Sequence, residues 1–450
     1  MQTNELQTPR FTRKDIMRLI LPLIVEQLLA VTIGMVDSVM VASCGEAAVS
    51  SVSLVDSINI LLIQIFAALA TGGAIVSSQY LGRQDTDSAN KSAKQLLVVV
   101  AFFALCIGVI CLFLNRHLLG WLFGDTEQAV MDNCVTYFFW SAISYPFIGV
   151  YNAGAALFRS MNNSRISMVT SLIMNVTNLI GNALLIYGFH MGVAGAAIST
   201  CFSRILGSVI VVCLLRRRNN VIYIDTFRGF RLNFQVIKNI LFIGIPSGLE
   251  NGVFQIGKIL VQGLVASLGT AAIAANSVAN SVAAISNSPA SAIGLGMLTI
   301  VGQCVGARDY VQAKKYIFKM TALAYASLFI MAGILVLSVN PIVEIYELSA
   351  ETASMARQLL LSYCCVAVVL WPASFVMPNG LRAANDVKYT MTVSILSMWI
   401  FRVGFSYLLV WGFHMGVLGI WVAMYIDWIG RIIAFSIRLR GEKWKSKQLI

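Results

Sequence analysis

Two carboxylates, Glu26 and Asp37, sit inside the stretch LPLIVEQLLAVTIGMVDSVMVASCGEAA at residues 21–48, which is otherwise apolar. Such a stretch is long enough to cross a bilayer, because about 20 apolar residues cover roughly 30 Å of hydrocarbon. An ionisable side chain at that depth costs roughly 2.5 kcal/mol or more, so it faces a cavity or a partner and marks an ion or substrate path. The chemistry open to it is uptake of a proton or cation. At 1.5 Å and 100° per residue, Glu26 and Asp37 are about 16 Å apart along a helix and on nearly one face. Against that stand two plainer readings: Asp37 reaches the outer interface, or Glu26 is held in a helix-packing hydrogen bond.

Other polar groups recur at helical spacing. Glu250, Asn251, Gln255, Lys258 and Gln262 form one polar stripe, which means that their helix faces protein or water. Lys258 there either pairs with a carboxylate or snorkels. Asn175, Asn178 and Asn182 share another apolar stretch, and Asn178 and Asn182 are four apart on one face. Amide oxygens of that kind suit a hard cation such as sodium and equally suit interhelical hydrogen bonds. Arg204, Arg402, Asp427 and Arg431 are further charges within apolar runs, and the spacing of Asp427 and Arg431 predicts a local ion pair. His190 and His414 fall in short GFHMG turns, where exposure argues against a ligand role. No nucleophile with a base, no phosphate-binding Gly-Lys loop and no clustered metal ligands are legible, so no catalytic residue is assigned and an enzyme is not expected.

These groups need elements to hold them, and the composition says which. The chain has 450 residues, 58% hydrophobic and 12% charged, against about 25% charged for a soluble domain. It reads as an all-α polytopic membrane protein. Apolar runs at 17–41, 50–77, 93–115, 130–157, 166–187, 192–215, 236–264, 273–302, 316–339, 356–380, 389–411 and 416–437 predict twelve transmembrane helices. Lys and Arg concentrate on alternate loops, from Arg10, Arg13, Lys14 and Arg18 through Arg216, Arg217, Arg218, Arg228 and Arg231 to Arg438, Arg440 and Lys443. The opposite loops hold Asp125, Glu127, Glu344, Glu347 and Glu351. The positive-inside rule then places both termini in the cytoplasm. The net charge of +12 is accordingly topological, and a nucleic-acid partner is not expected. The nine cysteines are scattered through apolar runs and read as packing residues. The start MQTNELQTPRFTRKD lacks the pattern of a cleaved leader and is expected to be retained.

The halves repeat at an offset of 224 residues. Pro22 matches Pro246, Glu26 matches Glu250, and MVASCGEAAV at 40–49 lies over LVASLGTAAI at 264–273. GFHMGVAG at 188–195 lies over GFHMGVLG at 412–419, whereas FRSMNNSRISM at 158–168 pairs with LRAANDVKYTM at 381–391, one residue out of register. Six spans per repeat put both halves in the membrane the same way round, giving two six-helix lobes related by a parallel internal repeat, with substrate near the midplane. The expected lobes are 1–215 and 236–450, joined by a cytoplasmic linker at 216–235.

The early Pro22 with VDSVMVASCG, the loop GQCVGARDYVQAKK and the segment NVTNLIGNALLIYGFHMGVAGAAIST together resemble the multidrug and toxic compound extrusion (MATE) family. The resemblance covers nearly the whole chain. It implies a central cleft and export of cationic or amphipathic compounds in exchange for sodium ions or protons, with no other cofactor. It also implies a cation or proton site at Asp37, Asn178, Asn182 and Thr200, although several members of the family have an aspartate where this chain has Asn182. The sodium-coupled branch places an acidic residue in the tenth helix, and YCCVAVVLWPASFVMPNG has none. From the repeat, Glu26 and Glu250 are expected at the cleft, with Gln27, Asn251, Gln255 and Lys258 beside them as substrate contacts. The expected protein is a monomeric, multi-pass secondary antiporter of the cell membrane. A flippase for lipid-linked precursors is the alternative, kept by the cations Arg204, Lys258, Arg402 and Arg431. A membrane-embedded enzyme or assembly factor is the remote one.

Overall fold

The structure, a computed structural model, describes residues 10–124, 126–225, 230–346 and 348–447. Asp125, Arg228 and Glu347, counted among the loop charges above, lie outside the described residues, as does the start of the chain at 1–9.

Among the described residues the chain forms twelve long helices: α1 Arg13–Ala42, α2 Glu46–Gly82, α3 Thr86–Phe113, α4 Gln128–Ser160, α5 Ser164–Gly188, α6 Gly192–Leu215, α7 Phe234–Ala266, α8 Thr270–Gly306, α9 Tyr310–Ile345, α10 Ala350–Ala383, α11 Val387–Gly412 and α12 Gly416–Arg440. One further short helix, Asn115–Phe123, precedes α4. Ten of the twelve are long and apolar enough to cross a membrane on those grounds alone. The other two, α4 and α7, are the ones with conspicuous polar faces, carrying Tyr137, Ser141, Ser144 and Tyr145 in one case and Glu250, Asn251, Gln255 and Lys258 in the other. Helices of that kind turn their polar face to neighbouring helices rather than to lipid. Several helices run past the apolar limits of the sequence by a turn or more, α9 beginning at Tyr310 rather than near 316. Its start is fixed by Asp309, whose carboxylate accepts the Gln312 backbone N–H at 2.9 Å as an N-cap. Asp85, 224 residues earlier, caps α3 in the same way through Ser88 N at 2.9 Å, and hydrogen bonding from the Ser88 side chain and then its backbone holds the carboxyl below the usual carboxylate range.

The repeat is written in the backbone more faithfully than in the side chains. Gly45 and Gly269, 224 apart, take φ of 100° and 96° in the turns after α1 and α7, a region that only glycine enters cheaply. Positive φ recurs in matched pairs at Gln84 and Arg308, Asn162 and Asn385, and His190 and His414. The Asn162/Asn385 pair keeps the one-residue slip. The offset returns to 224 by the GFHMG turns, and α11 contains between them a wide, π-helical segment, Met398–Gly404, that accommodates the extra residue.

Two compact units emerge: Leu28–Asn251, and Met1–Gln27 with Gly252–Ile450. In the first, α4 packs against α2, α6 and α3, and α5 lies on α6. The beginning of α7 is held there by backbone proximity, since a Cβ on Gly72 would meet the Ile240 carbonyl oxygen at 2.7 Å. In the second, α8 is the buried centre, packed on α9 and α10, while α12 packs on α11 and α10. α1 and α7 therefore each divide between units, cut after Gln27 and after Asn251. Lipid offers no hydrophobic drive between helices, so these contacts rest on close packing and hydrogen bonds.

Candidate ion and substrate sites

Asp37, Asn178, Asn182 and Thr200 meet inside the unit Leu28–Asn251, brought there by α1, α5 and α6. Asn182 Nδ2 donates to Asp37 Oδ1 at 3.0 Å. Asn178, one turn earlier, lies between Asp37 and Thr200. With its amide nitrogen facing the carboxylate, it donates to Asp37 Oδ1 and Oδ2 at 3.1 and 2.8 Å and accepts from Thr200 Oγ1 and N at 3.0 and 3.2 Å. Ser199 Oγ donates to the Asn178 backbone carbonyl at 2.7 Å and fixes α5 against α6. Asn182 Oδ1 is buried and has no hydrogen-bond partner. An unsatisfied buried carbonyl oxygen is costly, and here it lies on the amide that contacts the carboxylate. The helix just beyond it, Ala183–Gly188, is wide and π-helical, a deviation that often accompanies function.

A second layer of the same unit was not read from the sequence. Asp56 on α2 accepts from Asn59 Nδ2 at 3.1 Å and from Tyr137 OH at 3.3 Å. Asn59 also donates to Ser141 Oγ at 3.2 Å and accepts from Tyr145 OH at 2.7 Å. Arg204 on α6 donates to Ser144 Oγ at 2.7 Å and is near enough to Asp56 for their charges to attract, while Asp56 and Asp37 repel. The signal was available: Asp56 lies within the apolar run 50–77, and the cost that singled out Asp37 applies to it equally.

Glu26 and Glu250 are both buried, at 8% and 7% exposure, so neither faces lipid. Glu26 belongs to the unit that contains Gly252–Ile450, and Glu250 to Leu28–Asn251. Each therefore packs with the half of the chain that carries its repeat mate. Asn251 donates to Gln64 Oε1 at 3.4 Å in the Leu28–Asn251 unit. Gln262 accepts from Asn276 at 3.2 Å, and Asn276 in turn accepts from Trp421 Nε1 at 3.0 Å, so the end of the α7 stripe is used in packing. Gln27 and Gln255 are half-buried. Asn175 lies apart from the Asp37 cluster, 3.4 Å from Ser171 Oγ on its own helix. Arg431 Nε donates to Asp427 Oδ1 at 2.9 Å, the ion pair that their spacing predicts. His190 and His414 are exposed. Among the described residues no group of three His, Cys, Asp or Glu side chains is placed to hold a metal, so a cation at Asp37 would be held mainly by amide and hydroxyl oxygens.

A repeated all-helical membrane fold with buried carboxylates in its interior defines a multi-pass transporter. The comparisons narrow the class. The MatE family model matches this chain twice, over residues 22–184 and 246–408, segments that begin 224 residues apart as the internal repeat requires, and the chain belongs to that family of multidrug efflux transporters. It is 23% identical over 436 residues to the uncharacterized transporter YisQ of Bacillus subtilis, covering 95% of this chain and 94% of that protein. It is 22% identical to a probable multidrug resistance protein NorM of Thermotoga maritima, covering 97% and 94% of the two chains. Among solved structures, an outward-facing multidrug resistance MATE family transporter of the MOP superfamily superposes with a TM-score of 0.91 at 19% identity, covering 99% of this chain and 100% of the other. At that identity the match speaks for the fold.

Proposed function

We propose that this protein is a secondary antiporter that exports cationic or amphipathic organic compounds from the cell in exchange for protons or sodium ions. It works as a single copy in the cell membrane with both termini in the cytoplasm, and its coupling cation is taken by Asp37 with Asn178, Asn182 and Thr200. The observation that carries this reading is the Asp37 carboxylate, held by two amides of which one keeps a buried, unpartnered carbonyl oxygen.

An amide can present either end. With no cation bound, the N–H groups of Asn178 and Asn182 stabilise the charged carboxylate. When a proton or sodium ion arrives, rotation of an amide offers its oxygen to the new positive centre, and the same side chains serve both states. Asp56 adds a second negative charge, which Tyr137 and Asn59 hold in place and which favours cation entry. Exchange then requires only that cation and substrate prefer different conformers of the protein. Glu26, Gln27, Glu250, Asn251, Gln255 and Lys258 are the groups offered to the substrate.

The test is efflux of a fluorescent organic cation from proteoliposomes with sodium and proton gradients imposed separately. At least one gradient is expected to drive efflux, and Asp37→Asn to remove the response. A flat response of the wild-type protein to both gradients would overturn antiport.

A further inference from the structure

The Gly252–Ile450 helices contain a cluster of cations for which a purely cationic substrate has no use. Lys258 on α7, Arg402 on α11 and Arg431 on α12 surround the ring of Phe254, their Nζ or Cζ atoms 6.0, 5.5 and 5.4 Å from its centroid. Arg431 also lies 5.2 Å from the ring of Phe375. One carboxylate, Asp427, shares this region: its Oδ1 accepts from Arg431 Nε and Ser397 Oγ, while its buried Oδ2 has no hydrogen-bond partner. Arg431 completes its contacts at the Ser394 carbonyl, 3.3 Å away.

Among the described residues neither Lys258 nor Arg402 hydrogen-bonds a carboxylate, and of the two only Arg402 feels the Asp427 charge, which it shares with Arg431. Arg402 donates to Met424 Sδ at 3.1 Å, a weak acceptor. Lys258 has an exposed side chain, holds its Nζ 6.0 Å from the Phe254 centroid, and lies close enough to Arg402 for the two charges to repel. The backbone enforces this pairing. Gly257 lets α7 approach α11 so closely that a Cβ there would meet Met398 Cε at 2.4 Å, and Met398 opens the wide segment Met398–Gly404 that carries Arg402. By the 224-residue offset, Arg402 stands where Asn178 stands and Met424 where Thr200 stands. The Arg402–Met424 contact is thus the counterpart of the Asn178–Thr200 contact, with a cation in place of the amide.

Two like charges side by side within membrane helices are costly until a counter-charge joins them. An ammonium with three donors and a planar guanidinium fork together match the oxygens of a carboxylate, sulfonate or phosphate. Phe254 meets Phe375 edge to face at 6.3 Å, and Trp371 stacks on Phe375 at 5.2 Å, which supplies an aromatic wall beside the charges. We propose that Lys258 and Arg402 form an anion-binding subsite that takes the acidic group of an amphipathic molecule whose apolar body rests on Phe254 and Phe375. This deepens the transport reading and rests on it for the identity of that molecule as cargo: the favoured substrate is zwitterionic rather than purely cationic.

The probes are rhodamine 110, which has a free carboxylate, and rhodamine 123, its methyl ester. Each is titrated by fluorescence polarisation against the full chain in phosphatidylcholine nanodiscs. The wild-type protein is expected to bind the free acid at least tenfold more tightly than the ester. Lys258→Gln and Arg402→Gln are each expected to weaken the acid about tenfold and the ester less than twofold. Arg402→Lys, which keeps the charge without the fork, should fall between. Equal affinity for acid and ester in the wild type, or equal loss of both in the variants, overturns the subsite. A second arm adds phosphatidylglycerol. If this weakens binding of the acid to the wild type but not to Lys258→Gln, the subsite stands with a lipid headgroup as its occupant, and if binding is unchanged the occupant is the soluble amphipath. Should Arg402→Gln fail to fold, as thermal unfolding would reveal, Lys258→Gln at the exposed position decides. Binding needs no ion gradient. Failure here with gradient-driven efflux intact removes the subsite alone, whereas intact acid binding without gradient-driven efflux removes the antiport reading alone.

Discussion

In the unit Leu28–Asn251 the charges within the described helices include three carboxylates, Asp37, Asp56 and Glu250, and the cation Arg204. Among the Gly252–Ile450 helices three cations, Lys258, Arg402 and Arg431, gather around Phe254 with one carboxylate, Asp427, beside them. Both regions come from one repeated plan, and at the 224-residue offset Asp37 falls on Val261, Asp56 on Asn280 and Asn178 on Arg402. What the repeat preserves is the backbone: the positive-φ turns at Gly45 and Gly269, the caps at Asp85 and Asp309, and the positive-φ turns at His190 and His414. Turn geometry fixes where each helix enters and leaves, so it tolerates little change. An interior side chain needs only to be satisfied by its own neighbours, so one scaffold can hold opposite charges in its two copies.

The contrast can be broken most severely at Asp427. Asp427→Asn leaves Arg431 buried at 3% exposure without its counter-charge, and loss of one partner of a buried pair costs about 3–5 kcal/mol. A large fall in the thermal midpoint of the purified protein is expected, and a change of only a degree or so would mean that the pair is not structural. The matching substitution among the carboxylates should behave oppositely. Asp37→Asn keeps amide-like shape at a half-buried position, so stability should change by less than about 1 kcal/mol, while gradient-driven efflux falls tenfold or more. Asp56→Asn, one layer removed from the amide pair, should lower efflux less than Asp37→Asn does. Equal effects of the two would merge them into one site.

The shared backbone is probed by smaller changes. Gly45→Ala and Gly269→Ala each force a side chain into a left-handed conformation at a cost of about 1 kcal/mol, and the two losses should agree if the turns are true counterparts. Asp85→Ala removes a cap worth about 1 kcal/mol at a half-buried position. Because the Asp85 carboxyl is held below its ordinary range, its contribution is full above the unfolded value near 4 and is lost as pH falls through the lower folded value. The stability difference between wild type and Asp85→Ala should therefore shrink only in that acidic window, measured by thermal unfolding across pH.

The twelve helices, the repeat and the Asp427–Arg431 pair were legible because each rests on local or periodic information: apolar run length, a fixed offset, an i, i+4 spacing. The meeting of Asp37 with Asn178, Asn182 and Thr200 came through family resemblance, since those residues lie on three helices and no local pattern links them. Asp56 carries the same signal as Asp37, a carboxylate within an apolar run, but its link to Tyr137 and Arg204 crosses three helices and has no local pattern. The significance of Lys258 was open between pairing and snorkelling. The structure adds a neighbour of the same sign, Arg402, beside an exposed Lys258.

The sequence by itself determined that the chain is a membrane-spanning duplication of six helices, because hydropathy and repetition are properties of the linear order. It also determined which carboxylates and cations had to be accounted for, because their cost in hydrocarbon does not depend on where the helix packs. Only the tertiary structure decided how those charges sort. Packing divides α1 after Gln27 and α7 after Asn251, sets two amides on Asp37, and brings Lys258 beside Arg402 through the close approach at Gly257. Distances across helices are set by side-chain volume and wide helical turns, and neither is written in the spacing of residues along the chain.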